Sequence, residues 1–387
     1  MYSRYNVYLE NYPKDSYVTI YNLFSKKYVC VHQKVLKGNV SKQLKDKMLE
    51  YGIIFEDKNT IDESQRVVNE FLKTTNFSEE LVVMVLVTNK CNCRCVYCYE
   101  DGNVFKSNDL NDYTYIINFI QERCSLYSYK KISVIYYGGE PLLNKKAIFD
   151  LSNILYQTYG NKFVFDIVTN GFLLKEKDVI VWKKIGLRRI KVTLDGNEEC
   201  HNKRREMKNG SNGYKQIVTN LSKISNEIDL LINIVVDSDV YGIGDMIDTL
   251  KSNNIQAKYS ISIREQDTYS PLEKSQIIIK YSKILYEKGV YQYSKIGGNH
   301  GSICAGKNKH HYVIDANNNV YYCNGNFKEI LGKCIDNFKK KSYNVKDNCR
   351  ECKYLPICYG DCRFGSNCQK NYFDIVIPEL LKIYLHE

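Results

Sequence analysis

No stretch of this chain reaches about 18 consecutive apolar residues, the length that a bilayer-spanning helix needs. The first residues also lack the charged stretch, apolar run and small-residue cleavage site of a secretory leader. Membrane spanning and secretion are therefore not expected. A reducing cytoplasm is the expected compartment, where clustered thiols read as metal ligands rather than bridges. Internal repeats and low-complexity tracts are missing as well, which excludes a repeat array. A basic stripe is absent too: the formal charge is +11, but the lysines are scattered, and thiolates bound to metal would lower that figure. No nucleic-acid partner is expected, and the short run Lys339 to Lys341 reads as a solvated surface.

Cysteine is what the chain has in excess. Ten of its 15 cysteines fall into two groups: Cys91, Cys95 and Cys98, then Cys304, Cys323, Cys349, Cys352, Cys358, Cys362 and Cys368. Four thiolates per cluster is the rule for 4Fe-4S centres, and short spacings let one loop wrap a cluster. The pattern predicts a redox or radical enzyme.

Six apolar runs are strand-like: Leu81 to Thr88, Ile132 to Tyr137, Phe163 to Val168, Arg189 to Leu194, Leu230 to Val236 and Lys258 to Ile263. The segments between them are long enough for helices, and Tyr113, Ile116, Ile117 and Ile120 recur on one helical face. Alternating strands and helices give right-handed crossovers and a parallel sheet. The fold class is therefore α/β, a partial (β/α)6 barrel over residues 80–290. Residues 1–79 read as a small α+β module: strands near Val18 to Tyr21 and Tyr28 to Val31, then a helix near Ser41 to Tyr51 with Gly52 as its C-cap. From 291 to 387 the pattern turns to short turns and dense cysteines, with one late apolar segment, Ile375 to Tyr384.

In an α/β barrel the reactive groups sit where the strands end. The first strand leads into Cys91-x3-Cys95-x2-Cys98, and the second into Gly138-Gly139-Glu140-Pro141. The third reaches Asn170, the fourth Asp195, the fifth Asp237 and the sixth Arg264 and Glu265. Three cysteines on a tight loop hold three irons of a 4Fe-4S cluster and leave the fourth open for a small chelating ligand. With Tyr97 before the last cysteine and GGEP at the end of the second strand, residues 81 to 265 resemble the radical S-adenosylmethionine (SAM) superfamily.

That resemblance implies that Cys91, Cys95 and Cys98 bind the cluster, that SAM chelates its open iron, and that reductive cleavage yields a 5′-deoxyadenosyl radical. It assigns Tyr97, Gly138, Gly139, Glu140 and Pro141 to the cofactor site, with Glu140 pairing with the SAM ammonium and the glycines admitting backbone close to the ligand. Asp195 and the stretch His201 to Arg205 resemble a family pattern in which Arg205 pairs with the SAM carboxylate; Asn170 is a further polar contact. His201 and Arg205 read equally well as helix-surface residues in an ion pair. Cys93, inside the loop, reads as a passive replacement of an apolar residue.

The later cysteines resemble the SPASM domain of peptide-modifying radical SAM enzymes, which holds two auxiliary 4Fe-4S clusters. By that resemblance Cys349, Cys352, Cys358 and Cys368 ligate one, and Cys304, Cys323 and Cys362 the other. The second set is one ligand short, with Cys334, His310, His311 or a substrate thiolate as candidates and the histidines more simply read as surface residues. Asn318 stands where the domain has a hairpin glycine, and Asn tolerates φ > 0. A pair of zinc sites in an interaction protein is the non-enzymatic alternative.

The expected function is maturation of a ribosomally made precursor peptide by hydrogen abstraction, giving a crosslink or an oxidised residue, with a flavodoxin- or ferredoxin-type electron donor. A small molecule or an enzyme active-site residue is the alternative substrate. Asn324 follows Cys323 where sulfatase-maturing relatives carry an aspartate, which weighs against that branch. Asp237, Glu265 and Tyr322 are possible polar groups near the substrate, and the N-terminal module is a candidate leader-binding element that could add a peptide to a sheet edge.

Overall fold

A computed structural model describes residues 1–38, 40–56, 62–98, 109–264, 269–290, 304–336, 338–360, 362 and 368–385. Glu265 and the expected boundary at 291 lie outside the described residues. At the N-terminus β1 (Asn6–Glu10), β2 (Tyr17–Asn22) and β3 (Tyr28–His32) form an antiparallel sheet in that order. Helices α1 (Gln33–Lys37), α2 (Lys42–Glu50) and α3 (Glu63–Asn76) follow. The Ser41 side chain caps α2 by accepting from Leu44 N–H, and Gly52 leaves the helix at φ +65°, the left-handed turn that ends helices. The sequence reading has no place for β1 or α3. Val67, Val68 and Phe71 on α3 pack against the C-terminal part of the chain, so their partners are remote in sequence.

The centre is built on β4 (Glu80–Thr88), β6 (Lys131–Gly138), β7 (Phe163–Thr169), β8 (Leu187–Thr193), β10 (Asp229–Val236) and β11 (Lys258–Ile263), all parallel. Each strand neighbours the next of the six in sequence, which is the partial (β/α)6 barrel. Two short strands outside it, β5 (Cys93–Cys95) and β9 (Arg205–Met207), pair with each other. The outward pleat of the barrel, for example Val83, Val134, Phe165, Ile190 and Ile232, is fully buried under α4 (Thr114–Leu126), α5 (Lys145–Tyr159), α6 (Glu176–Lys183), α8 (Gly213–Ser222) and α9 (Ile243–Ser252). α7 (Glu198–Arg204) leads into β9, and α10 (Pro271–Glu287) follows β11.

β4 is not the edge of this sheet. β12 (His311–Ile314) pairs parallel to it with His311 opposite Val82, and β13 (Asn319–Cys323) and β14 (Asn326–Lys333) continue antiparallel, making nine strands. Asn318 turns the β12–β13 hairpin at φ +64°, so asparagine does serve where a left-handed residue is required. The short helices α11 (Asp347–Arg350) and α12 (Leu355–Cys358) precede α13 (Lys370–Tyr384), which contains the expected late apolar segment. α13 packs along α10, and its Val376, Ile377 and Leu380 share one core with Tyr5 and Leu9 of the N-terminal segment, Phe71 of α3 and Tyr343. Among the described residues no helix is long and apolar enough to cross a membrane.

Candidate active site

The three-cysteine loop begins where β4 ends and is clamped on both sides. Gly139 N–H donates to Thr88 O at 3.0 Å, and Glu140 N–H donates to Lys90 O at 2.8 Å. A Cβ on Gly138 would lie 2.1 Å from Thr88 O, and one on Gly139 would lie 2.5 Å from Lys90 O. The glycines therefore admit the root of the cysteine loop; the expectation gave them to the ligand. On the other side β5 pairs with β9, with Cys93 opposite Met207 and Cys95 opposite Arg205. Cys93 is buried rather than displayed: its thiol lies 3.3 Å from Met207 Sδ and accepts from Asn170 Nδ2 at 3.3 Å. It also hydrogen-bonds toward its neighbours, which lowers the Cys91 thiol and brings Cys95 down to about 6, with Arg205 lowering Cys95 further.

Glu140 is fully buried, and its oxygens accept from Leu142 N–H at 2.9 Å, Thr169 Oγ1 at 2.6 Å and Asn170 N–H at 2.8 Å. Burial pushes its carboxyl up, while these hydrogen bonds pull it down. It thus ties the ends of β6 and β7 together, and Pro141 behind it opens a helical turn, Pro141–Asn144, whose first two residues are buried. Asn170 is spent on the loop as well, donating to Asn92 Oδ1 at 2.7 Å and accepting from Phe172 N–H at 3.0 Å.

Asp195 is completely buried; its backbone N–H donates to His201 Nδ1 at 3.2 Å and its carboxylate accepts from Val235 N–H at 2.9 Å and from the Tyr97 hydroxyl. Arg205 Nη1 donates to that same hydroxyl at 2.6 Å, and the guanidinium groups of Arg204 and Arg205 face the Tyr97 ring at 5.1 and 5.8 Å. His201 is 1% exposed and burial drives its imidazole well below the usual range, so the surface reading of His201 does not hold; Arg205 is half-buried and lies on β9 rather than on a helix. Arg204, which the sequence reading passed over, pairs with Asp237 at 2.8 Å. Asp237 Oδ1 also accepts from the N–H groups of Asp239 and Val240, while its Oδ2 is buried without a hydrogen-bond partner.

The donor set fits a chelated, zwitterionic ligand. Buried and without hydrogen-bond partners are Arg205 Nε and Asn92 Nδ2, both beside the three thiols. A buried donor left unsatisfied costs about 1–3 kcal/mol, which a bound carboxylate would recover.

Further along the chain, Cys349, Cys352, Cys358 and Cys368 line one cavity of about 570 Å³ together with Lys346 and Lys353. Burial, with the neighbouring thiolates adding to it, holds the Cys349 thiol up. Cys304 and Cys362 are exposed and Cys323 is half-buried. Two buried lysines stitch their segments together. Lys340 Nζ donates to Ala305 O at 2.6 Å, His311 O at 2.5 Å and Tyr322 O at 3.0 Å, while Lys307 Nζ donates to Cys358 O at 2.9 Å and Tyr359 O at 3.2 Å. The solvated reading of Lys339 to Lys341 is therefore wrong at its middle member, which is 5% exposed.

The spare-ligand candidates also separate. Cys334 lies in the apolar core, its thiol pushed up to about 12 by burial. His310 is buried between the Tyr129 hydroxyl at 2.6 Å and Asn76 O at 2.9 Å. His311 keeps a buried Nε2 without a hydrogen-bond partner, and burial brings its imidazole down to about 3. Neither histidine is a surface residue. Among the described residues no three His, Cys, Asp or Glu side chains converge closely enough to hold a single metal ion.

Residues 85–241 match the family model of the Radical SAM superfamily. The chain carries a radical SAM domain, the domain of an enzyme superfamily. A 4Fe-4S cluster and SAM are the cofactors the family implies. The GTP 3',8-cyclase of Clostridium botulinum (strain Hall) is 35% identical over 117 residues, which are 30% of this chain and 35% of that protein, so the match spans about a third of that relative. The cysteine-type anaerobic sulfatase-maturating enzyme of Clostridium perfringens is 21% identical over 359 residues, 76% of this chain and 95% of the relative. Two solved structures share the fold. One is anSMEcpe with bound AdoMet and the Kp18Cys peptide, with TM-score 0.60, 19% identity and coverage of 79% of this chain and 97% of the other. The second is Streptococcus suis SuiB bound to precursor peptide SuiA, with TM-score 0.54, 15% identity and coverage of 97% and 99%.

Proposed function

We propose that this radical SAM enzyme matures a ribosomally made precursor peptide, using two auxiliary 4Fe-4S clusters. The observation that carries the reading is the division of the thiols into two places: three on the loop at the barrel mouth, and four around a separate cavity lined by Cys349, Cys352, Cys358 and Cys368. When bound, the cluster and SAM supply a 5′-deoxyadenosyl radical able to abstract hydrogen from an unactivated C–H bond.

In this proposal Cys91, Cys95 and Cys98 hold the first cluster and Arg205 holds the SAM carboxylate through its unsatisfied edge. Glu140 faces the ammonium, and Tyr97 with Asp195 fixes the guanidinium. Cys349, Cys352, Cys358 and Cys368 hold one auxiliary cluster. Cys304, Cys323 and Cys362 hold the other, with His311 the remaining protein candidate for its fourth ligand. An auxiliary centre would accept the electron left on the substrate after hydrogen abstraction, and a flavodoxin- or ferredoxin-type protein would supply the reducing electron to the first. A leader peptide could add to the outer edge of β3, which has no strand partner among the described residues.

Maturation of a sulfatase is the second reading, favoured by the coverage of the Clostridium perfringens relative. Asn324 weighs against it, since an amide takes up no proton at this position. Anaerobic co-expression with a small peptide encoded beside the gene tests the first reading. The expected result is a peptide lighter by two hydrogens together with 5′-deoxyadenosine. No deoxyadenosine from a protein with intact clusters, reductant and SAM would overturn it.

A further inference from the structure

Among the described residues the inner face of the barrel carries several charges, most of them in ion pairs with one another. Ile190, Val192 and Leu194 point outward into the core, so Lys191 and Thr193 on the alternate pleat face the lumen. Lower in the lumen Arg189 pairs with Asp229 at 2.5 Å, Lys258 with Asp229 at 2.9 Å, Arg188 with Asp166 at 2.7 Å and Lys131 with Glu80 at 3.0 Å. The Lys191 side chain makes no ion pair or hydrogen bond with any described residue, and its strand neighbours are Val168 and Leu231. Burial, reinforced by the Arg189 charge, pushes its ammonium down. Lys191 is half-buried, and a partly desolvated cation with no counter-charge is costly to keep.

What surrounds it is a row of neutral hydrogen-bonding groups. Thr193, Asn233 and Ser260 lie side by side across three strands, one pleat above Lys191, and Ser262 lies one pleat higher. Asn233 Oδ1 accepts from both serine hydroxyls at 2.9 Å, which turns its Nδ2 donor toward the lumen. Asp195, the buried carboxylate bonded to Tyr97, stands two residues beyond Thr193, so this wall lies directly beneath the proposed SAM contacts.

We propose that Lys191, with Asn233 and Thr193 above it, is the anion-recognition element of the substrate site and binds a carboxylate. The residue presented to the radical then carries an acidic side chain or a free C-terminal carboxylate. The charge meets Lys191 in the lumen while the carbon above it stands at the level of the cofactor. This rests on the reading of the barrel mouth as the substrate site, and it explains a lumen cation that no described residue pairs.

Calorimetric titration of the full-length, cluster-loaded protein with SAM tests it without any radical chemistry. The probes are N-acetyl-L-glutamate α-amide for the acidic side chain, N-acetyl-L-alanine for the terminal carboxylate and N-acetyl-L-glutamine amide as the neutral control. One of the two acids is expected to bind and to protect Lys191 from amine acylation read by mass spectrometry, and the acid that binds identifies the source. Lys191→Gln should weaken that binding by about 30-fold or more, the effect of removing one member of a desolvated charge pair. Lys191→Arg should retain it, and melting curves show that both variants fold. Binding of the neutral probe as tight as the acid, an unchanged affinity in Lys191→Gln, or no acid bound by the native chain would each overturn the proposal. Because deoxyadenosine formation is measured separately, failure here leaves the radical SAM reading standing.

Discussion

Cys95 stands directly opposite Arg205 in the short antiparallel ladder of β5 and β9, so the loop expected to hold the cluster and the cation expected to hold SAM are fixed by one pair of strands. Arg205→Ala should weaken SAM binding by about 30-fold or more while iron content stays at the native level. Arg205→Lys should recover only part, because an ammonium lacks the planar fork that meets both carboxylate oxygens. Equilibrium binding of SAM to the anaerobic protein checks both, and native affinity in the alanine variant would remove Arg205 from the site.

The two thiol sets should fail differently. Cys95→Ala should abolish deoxyadenosine formation and lower the iron content by about four per chain, the content of one 4Fe-4S cluster. Cys352→Ala should lose a similar amount of iron yet still cleave SAM, with no modified peptide formed. Iron analysis beside product analysis separates the two, and a Cys352 variant with full turnover would show that its cavity holds nothing the reaction needs.

Lys340 joins three backbone carbonyls from three segments, two of them next to Cys304 and Cys323. Lys340→Met keeps most of the volume but leaves those acceptors unsatisfied. The expected loss of unfolding free energy is about 3 kcal/mol, measured by denaturant titration of the metal-free chain. A stability within error of the native value would mean that the carbonyls find other donors.

Three buried imidazoles, His201, His310 and His311, are held neutral, with His311 down at about 3. The unfolded chain takes up a proton on each near the ordinary value of about 6.5, whereas the folded chain does not. The stability they contribute is thus present above about pH 6.5 and falls as the pH drops, by roughly 1.4 kcal/mol per pH unit for each imidazole that stays neutral. The melting temperature should decline from pH 6.5 to pH 5, and His311→Gln should flatten that decline. An equally steep decline in the variant would show that His311 takes no part in it.

The barrel was legible because its signal is local: each strand is a short apolar run, each crossover is long enough for a helix, and every run ends in a polar motif. The same holds for the Asn318 turn and the Ser41 cap. What sequence did not reveal depends on partners far along the chain. β12 is four residues whose place beside β4 is set by pairing across more than two hundred positions. Arg204 looks like any helix-terminal arginine until Asp237 is seen 2.8 Å away, and Lys340 looks solvated until three carbonyls close around it. The glycines of GGEP stand out in the sequence, and the atoms they make room for belong to Thr88 and Lys90.

The ladder between β4 and β12 has one further meaning. The strand that delivers the three-cysteine loop is also the strand on which the later sulfur-bearing hairpin is laid, so the spacing between the proposed redox centres is set by a hydrogen-bonded sheet and not by a hinge. Severing the chain after the barrel would do more than remove a domain. It would expose a raw edge flanked by Met84 and Leu86, an invitation to self-association, and so the later cysteine-bearing part of this molecule doubles as the seal on its barrel.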